Sequence, residues 1–442
     1  MGKKCMKIWG SLCTAAFLLL GGLPLAMAAV PDGQTQTTAA VRPAAAQEMR
    51  RVRLQWPAVP GAVKYQLVVL RSAEDRPDNI LTSLSTIYIN GYELDTAGWG
   101  PEKQGYYWKV CPLDYNGKAI GPYTALQPLA GGTINPAAPQ PTTEFDKMAY
   151  APLYPVYSWI PVSGAGSYDV EIYRKSASSQ GADKRIRSLS TSDAILYDDA
   201  GYTWGGSYYW RVRARDEEGG SLGSWSEPSG FQVVSPVKVA ALGDSITHGG
   251  GVISVPPGYL MYDWESYSQV PVKNLGFSGN TVEAMDERFE RDVLPFGPRI
   301  LVIMGGVNNY RQGDSAWSII HMLAILRDKC NAYGIIPVFA TVTPINPDRM
   351  ARTGGLIEAP ADGWLLQQQR LNDWLRAQPY AVDVTPGLTD GRGWLRADYT
   401  TDGLHPDQQG KKLIGEAISR YLLQRFPTME LLPARTARAA VK

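Results

Sequence analysis

Three short stretches of this 442-residue chain carry side chains suited to acyl transfer. Gly243-Asp244-Ser245 offers a serine hydroxyl. Gly305-Gly306-Val307-Asn308-Asn309 offers side-chain amides. Asp402-Gly403-Leu404-His405-Pro406 offers a carboxylate three residues before an imidazole. A serine hydroxyl is a weak nucleophile and needs a base within hydrogen-bond reach. Histidine suits, because an ordinary imidazole titrates at about 6.5. The base needs an acceptor on its other ring nitrogen, and the developing oxyanion needs donors already in place. The chain has three histidines, so the base is one of His248, His321 and His405. His321 has no acid nearby and reads as a solvated mid-helix residue. His248, three residues after Ser245, can line a pocket. The Asp402–His405 spacing can aim both side chains at a common point. Each stretch also has a plain reading: a turn tripeptide, a helix-entry loop, a turn-capping Asn308. Their order, and the place of each at the end of an element, speak for the functional one.

The elements that must position these groups are visible as a change of period. Residues 237–242, 300–304 and 335–340 are short apolar runs, the pattern of strands buried on both faces. Leu413, Ile414, Ala417, Ile418, Tyr421 and Leu422 recur at helical spacing, and Leu371, Trp374 and Leu375 do so more briefly. Strand and helix alternate, so this part is an α/β domain with a largely parallel sheet. Ligands in such sheets sit beyond the carboxyl ends of the strands, where Ser245 and Asn308 fall.

Upstream the period is two. Val52, Leu54 and Trp56 alternate with polar residues, as do Tyr65, Leu67 and Val69, then Tyr106, Trp108 and Val110. The frame W-x-x-V-x-G-A-x-x-Y at Trp56–Tyr65 recurs about 100 residues later at Trp159–Tyr168. Tyr106-Tyr107-Trp108-Lys109-Val110 likewise recurs as Tyr208-Tyr209-Trp210-Arg211-Val212. Turn signals at Pro60-Gly61, Asn116-Gly117 and Gly219-Gly220 separate the runs. Two antiparallel β-sandwich modules are expected. The repeated aromatics fit core positions better than a sugar-stacking platform.

These residues carry two resemblances. The repeated Trp, the Tyr after a Gly-Ala turn and the Tyr-Tyr-Trp-basic-Val strand resemble fibronectin type III modules. Gly243-Asp244-Ser245-Ile246-Thr247 resembles the first block of the SGNH, or GDSL, hydrolases. Residues 274–281 look like the second block, Gly306-Val307-Asn308-Asn309 like the third, and Asp402-Gly403-Leu404-His405-Pro406 like the last. The resemblance implies a three-layer α/β/α, flavodoxin-like domain. It implies Ser245 as nucleophile, His405 as base and Asp402 as its orienter. It also implies an oxyanion hole from the N–H groups of Ser245 and Gly279 and the Asn308 amide. One position departs: the family usually has Asp where this chain has Asn309, which puts loop geometry in question more than chemistry.

The expected organisation is a signal peptide at 1–28 and a flexible leader at 29–48. Fibronectin III-like sandwiches follow at 49–131 and 148–236, joined by a linker at 132–147. The SGNH hydrolase domain spans 237–427 and a disordered tail 428–442. Lys3, Lys4 and Lys7, an uncharged stretch to Leu25 and Ala26-Met27-Ala28 form the signal. A secreted, periplasmic or cell-surface location without stable membrane insertion is therefore expected. Only Ser235-Pro236 joins the second sandwich to the next strand, so the two should dock.

The formal net charge is +1, which argues against a nucleic-acid partner. Cys111 and Cys330 lie in different domains, so no disulfide framework is expected. No G-x-S-x-G, H-E-x-x-H or C-x-x-C motif occurs, and no metal or organic cofactor is called for. The expected function is a secreted serine esterase acting on carboxylic esters, above all O-acetyl groups on extracellular carbohydrate or cell-wall polymer. A lysophospholipase, lipase or thioesterase is the enzymatic alternative, and an inactive adhesion or glycan-binding protein the non-enzymatic one. The sandwiches read as spacers, so deleting 29–147 should leave small-ester hydrolysis largely intact.

Overall fold

The computed structural model describes residues 51–96, 99, 105–129, 138–251, 255–429 and 431. The expected signal peptide and leader lie outside the described residues, as does the expected tail apart from 428, 429 and 431.

The first unit contains β1 (Arg51–Gln55), β2 (Lys64–Leu70), β3 (Ile80–Ile87), β4 (Gly91–Asp95), β5 (Tyr107–Leu113) and β6 (Gln127–Pro128). β1 pairs with β4, and the others form an antiparallel sheet in the order β3-β2-β5-β6. The second unit contains β7 (Gln140–Pro141), β8 (Val156–Ile160), β9 (Ser167–Arg174), β10 (Lys184–Thr191), β11 (Ile195–Tyr197), β12 (Gly206–Arg215) and β13 (Ser229–Val233). Its sheets run β11-β8-β7 and β10-β9-β12-β13.

The repeated sequence frame has a physical cause. The Tyr65 hydroxyl accepts the Val59 N–H at 2.9 Å, and the Tyr168 hydroxyl accepts the Val162 N–H at 3.0 Å. Each tyrosine thus pins the turn before its strand. Its ring packs on the preceding tryptophan, with centroids 5.5 Å apart for Trp56–Tyr65 and 5.2 Å for Trp159–Tyr168. Trp56, Trp108, Trp159 and Trp210 are all buried. The repeated aromatics are core residues, and their indole faces are not offered to a ligand.

The third unit is a sheet of β14 (Val239–Gly243), β15 (Lys273–Gly276), β16 (Ile300–Met304), β17 (Ile336–Ala340) and β18 (Ala381–Val382). All of its pairings are parallel, in the order β15-β14-β16-β17-β18. The central strands β14 and β16 are buried at every residue, which explains their unbroken apolar runs. The order reverses direction between β14 and β16, and in parallel sheets ligands sit in the crevice at such a point.

The second and third units share one continuous apolar core, in which Leu153, Tyr154, Trp159 and Trp210 join Leu242, Leu275 and Phe296. Lys273 Nζ donates to the Ala151 carbonyl at 2.6 Å, Leu153 N to the Asn274 carbonyl at 2.9 Å, and the Tyr154 hydroxyl to Asp292 at 2.6 Å. The short joint at 235–236 fits this docking. The first unit keeps a separate core around Trp56, Tyr65 and Trp108. Cys111 and Cys330 are free and buried.

One expectation needs correction. Residues 140–147, read as linker, belong to the second unit. β7 pairs with β8, and buried Phe145 packs on Tyr157 and Phe231. A two-residue edge strand tolerates proline, so its composition imitates a linker. Deleting 29–147 would also remove contacts to the third unit. Thr142 accepts from the Tyr259 hydroxyl and Glu144 from the Leu260 N–H, tying down a loop of the third unit. The first unit's turn at Gly61 lies so close that a Cβ there would come 3.4 Å from Thr401 Oγ1, one residue from Asp402. Among the described residues, no helix is long and apolar enough to cross a membrane.

Candidate active site

β14 ends at Gly243, and Asp244 caps the short helix α1 (Ser245–His248) by accepting the Ile246 N–H at 2.9 Å. Burial pushes the Asp244 carboxyl up to about 6. Ser245 heads this helix, where no earlier helical carbonyl can take its N–H. Its side chain stands at the crevice between β14 and β16.

The C-terminal motif forms a tight turn before α2 (Gln408–Arg425). One Asp402 oxygen accepts the N–H groups of Leu404 and His405, both at 2.8 Å. The other lies 2.7 Å from His405 Nδ1. Thr400 braces the same turn, donating to the His405 carbonyl and accepting the Gly403 N–H. Gly403 is required twice over. Its φ is +83°, and a Cβ would meet Asn346 O at 2.3 Å and Met350 N at 2.6 Å. Burial by itself would raise the Asp402 carboxyl. The charge and hydrogen bond of His405, with the two backbone donors, outweigh it and hold the group below the usual carboxylate range.

His405 Nε2 lies 2.9 Å from Ser245 Oγ. With Nδ1–H donating to Asp402, Nε2 is left to accept the serine proton. The structure thus brings together Ser245, His405 and Asp402, 160 residues apart in sequence at the widest bond. Gly279, at φ +84° in the turn after β15, has open space where a side chain would stand. The hydrogen bond of that turn runs from Asn280 N to Phe277 O, so it does not use the Gly279 N–H. Asn308, just after β16, donates one amide N–H to the Asn280 carbonyl at 2.9 Å and accepts from Arg311. A side-chain amide has two N–H groups, so one remains for a substrate oxygen.

The other two histidines lie apart from this line. His321 is exposed and stacks on Trp317. His248 is buried behind the pocket wall. Its Nε2–H donates to the Tyr154 carbonyl at 2.7 Å and its Nδ1 accepts from the Ser278 hydroxyl at 2.9 Å, which fixes the tautomer. Burial lowers its pKa to about 4, so it is neutral near pH 7. Asn309 is fully buried. Its carbonyl oxygen accepts the Val282 N–H, while its NH2 donates to both Glu283 and Asp314. An aspartate could accept from Val282 but could not donate to two carboxylates. Asparagine at this position is matched to its surroundings.

Sequence reasoning missed three groups. Arg288 donates to the carbonyls of Gly243 and Leu275, clamping the ends of β14 and β15. Lys411, fully buried, donates to the Ile246 carbonyl at 2.7 Å and holds α1 from below. Its signal was a charge on the apolar stripe of its helix, three residues before Ile414. Tyr197, from β11 of the second unit, lines the pocket above Ser245 with His405, Ser278, Val255 and residues 249–251. Among the described residues, no group of three or more His, Cys, Asp or Glu is placed to hold a metal ion.

Comparison with known proteins follows this geometry. Residues 241–413 match the model of the GDSL-like Lipase/Acylhydrolase family. No curated protein matches the chain. Solved structures similar to it include a lipase/acylhydrolase from Enterococcus faecalis, at 22% identity and TM-score 0.35, covering 43% of this chain and 96% of that one. A GDSL-like lipase from Bacteroides thetaiotaomicron shows 19% identity and TM-score 0.34, covering 44% and 93%. An acetylxylan esterase from Geobacillus stearothermophilus, solved as a catalytic mutant, shows 19% identity and TM-score 0.30, covering 46% and 99%. The chain therefore carries a GDSL-like lipase/acylhydrolase domain at residues 241–413, and with it the activity class of a carboxylic ester hydrolase.

Proposed function

We propose that Ser245 is the nucleophile, His405 its base and Asp402 the group that orients the base. His405 Nε2 takes the Ser245 proton as Oγ bonds to the ester carbonyl carbon, and the carbonyl oxygen becomes an oxyanion. The N–H groups of Ser245 and Gly279 and the second Asn308 amide N–H receive that oxygen. When the tetrahedral centre collapses, the C–O bond to the alcohol breaks and His405 gives its proton to the leaving oxygen. Water then attacks the acyl-serine, again through His405, releasing the acid and restoring the hydroxyl. Asp402 fixes the tautomer and stabilises the imidazolium. The scheme uses no metal or organic cofactor.

The observation that carries this reading is the 2.9 Å contact of Ser245 Oγ with His405 Nε2, continued at 2.7 Å to Asp402. Ser245→Ala should abolish hydrolysis of acetyl esters and prevent labelling by a phosphonate ester. Asn308→Ala should lower turnover by about 10²–10³, the effect of losing one oxyanion donor. Full acetate hydrolysis by purified Ser245→Ala would overturn the assignment.

We read the natural substrate as a short-chain ester, chiefly O-acetyl on carbohydrate outside the cell. The cavity at Ser245 has a volume of about 10 Å³, room for one water-sized group beside the hydroxyl. The signal-like N-terminus supports the extracellular setting. The recurring strand pattern and tyrosine-pinned turns support a fibronectin III-like reading of the two β units. Acyl-chain profiling tests the substrate: preference for octanoate over acetate would transfer the reading to lipid esters.

A further inference from the structure

We propose that Arg288 is the positioning residue of the oxyanion hole: one buried guanidinium sets the N–H groups of Ser245 and Gly279 and the Asn308 amide relative to one another. The proposal rests on the triad reading above and goes beyond it to the group that holds the three donors in place.

The three donors stand on three separate segments, past the ends of β14, β15 and β16. The ladder between β14 and β15 closes with Gly243 paired to Gly276. Ser245 and Gly279 lie beyond it, where strand pairing no longer sets their spacing. Arg288 reaches this zone from the end of the short helix Val282–Glu287 and is buried. Its Nη2 donates to the Gly243 carbonyl at 2.9 Å, two residues before Ser245. The Phe277 N–H donates to the same carbonyl at 3.1 Å, so two segments are tied at one atom. Arg288 Nε donates to Asn280 Oδ1 at 2.6 Å, one residue after Gly279. The Asn280 backbone carbonyl is in turn the acceptor that holds the Asn308 amide at 2.9 Å. One side chain therefore touches the flank of the first donor, the flank of the second and the residue that fixes the third.

The guanidinium is itself held. Nη1 donates to the Leu275 carbonyl at 2.7 Å and to Asp292 Oδ2 at 3.1 Å, and Asp292 is fully buried. The same Asp292 oxygen accepts the Tyr154 hydroxyl of the second β unit at 2.6 Å, and the other accepts Arg291 Nε at 2.8 Å. A planar guanidinium bonds several acceptors in fixed directions at once, which a lysine ammonium on a flexible stem cannot do. Donors serve an oxyanion only within about 2.7–3.1 Å of it. A misplacement of about 1 Å costs about 100-fold in rate. Position, more than charge, is what Arg288 supplies.

The test uses two variants of the full chain. Arg288→Lys keeps a cation against Asp292 but loses the fork. Asn280→Ala removes only the Nε acceptor and leaves the backbone carbonyl for Asn308. Active sites are counted by phosphonate labelling of Ser245 taken to completion, and rates on p-nitrophenyl acetate are expressed per labelled site. Arg288→Lys should lower kcat/KM about 100-fold and Asn280→Ala about tenfold. The inhibition constant of phenyl trifluoromethyl ketone, whose adduct with Ser245 carries an oxyanion, should rise by the same factor in each. The acid limb of the pH profile should stay in place, because Asp402 and His405 are untouched. An Arg288→Lys protein that melts with the wild type and keeps its kcat/KM would overturn the proposal. A fall in kcat/KM with an unchanged ketone constant would overturn it as well. Fewer labelled sites, each with wild-type rate and ketone affinity, would mark a merely structural residue and overturn it too. If Arg288→Lys does not fold, Asn280→Ala decides by the same readings. With an active wild type labelled at Ser245, these results bear on Arg288 alone. If the wild type is inactive on acetate and Ser245 stays unlabelled, the triad reading itself fails.

Discussion

Replacing Asn309 with aspartate should damage this protein. Asn309 is fully buried, and its NH2 group bridges Glu283 at 2.8 Å and Asp314 at 2.9 Å. In Asn309→Asp both donated bonds disappear and a third carboxylate is set against the other two. Hydrogen bonds to charged partners contribute about 1.5–3 kcal/mol each. Asp314 is exposed and water can partly replace its bond, so a loss near the low end, about 3 kcal/mol, is expected. The sign with pH follows from the same geometry. Two neighbouring carboxylates raise the pKa of the new acid in the folded state above its unfolded value of about 3.9. The deficit is therefore full above the folded pKa and closes as pH falls toward 3.9, where a protonated acid can donate again. Urea unfolding of wild type and variant, taken as a difference at each pH from 7.5 to 4, measures both parts. Adding Asp314→Asn should recover part of the loss at pH 7.5. A variant within 0.5 kcal/mol of wild type at pH 7.5, on the scale of a neutral surface change, would refute the argument. A deficit that stays constant on acidification would refute it too.

Gly403→Ala forces a side chain into left-handed backbone and against two backbone atoms, with about 1–2 kcal/mol from the conformation and about 1–3 kcal/mol from the clash. Because His405 lies two residues on, turnover on acetate should also fall about 100-fold, as for a misplacement near 1 Å; melting and kcat measured together check both. His248 is neutral in the fold down to about pH 4, whereas its unfolded imidazole protonates near 6.5. The unfolded state binds more protons in that window, so stability is full above pH 6.5 and about 3 kcal/mol is lost as pH falls to 4. Urea midpoints for His248→Asn should fall less steeply over the same range, and parallel curves would contradict the assignment.

The groups proposed for catalysis were legible because each sits in a short motif at the end of an element. Ser245 follows a strand, Asn308 follows another, and Asp402 and His405 share one turn, so local sequence carried most of the geometry. The parallel sheet was legible for a similar reason: strands buried on both faces leave unbroken apolar runs. What stayed hidden depends on contacts between distant segments. Tyr154 reaches Asp292 across 138 residues, and no spacing rule predicts such a pair. Tyr197 lies in a module whose aromatics looked like core, and most of them are. Residues 140–147 were hidden by composition, since a proline-containing edge strand and a linker look alike. Asn309 was noticed as a departure, but its meaning needed Glu283 and Asp314 in place.

The shared core between the second and third units limits how this gene can be rearranged. A polypeptide begun at residue 241 would keep every motif of the matched domain. It would lose the Ala151 carbonyl that receives the Lys273 ammonium and the Tyr154 carbonyl that receives His248. Asp292 would lose the Tyr154 hydroxyl as well. Each loss strands a buried polar group, at a cost of about 1–3 kcal/mol apiece and more for the charged ones. Domain shuffling that respects only the boundary of the matched segment would therefore yield a chain unable to hold its own interior, and the portable piece must start upstream of β7.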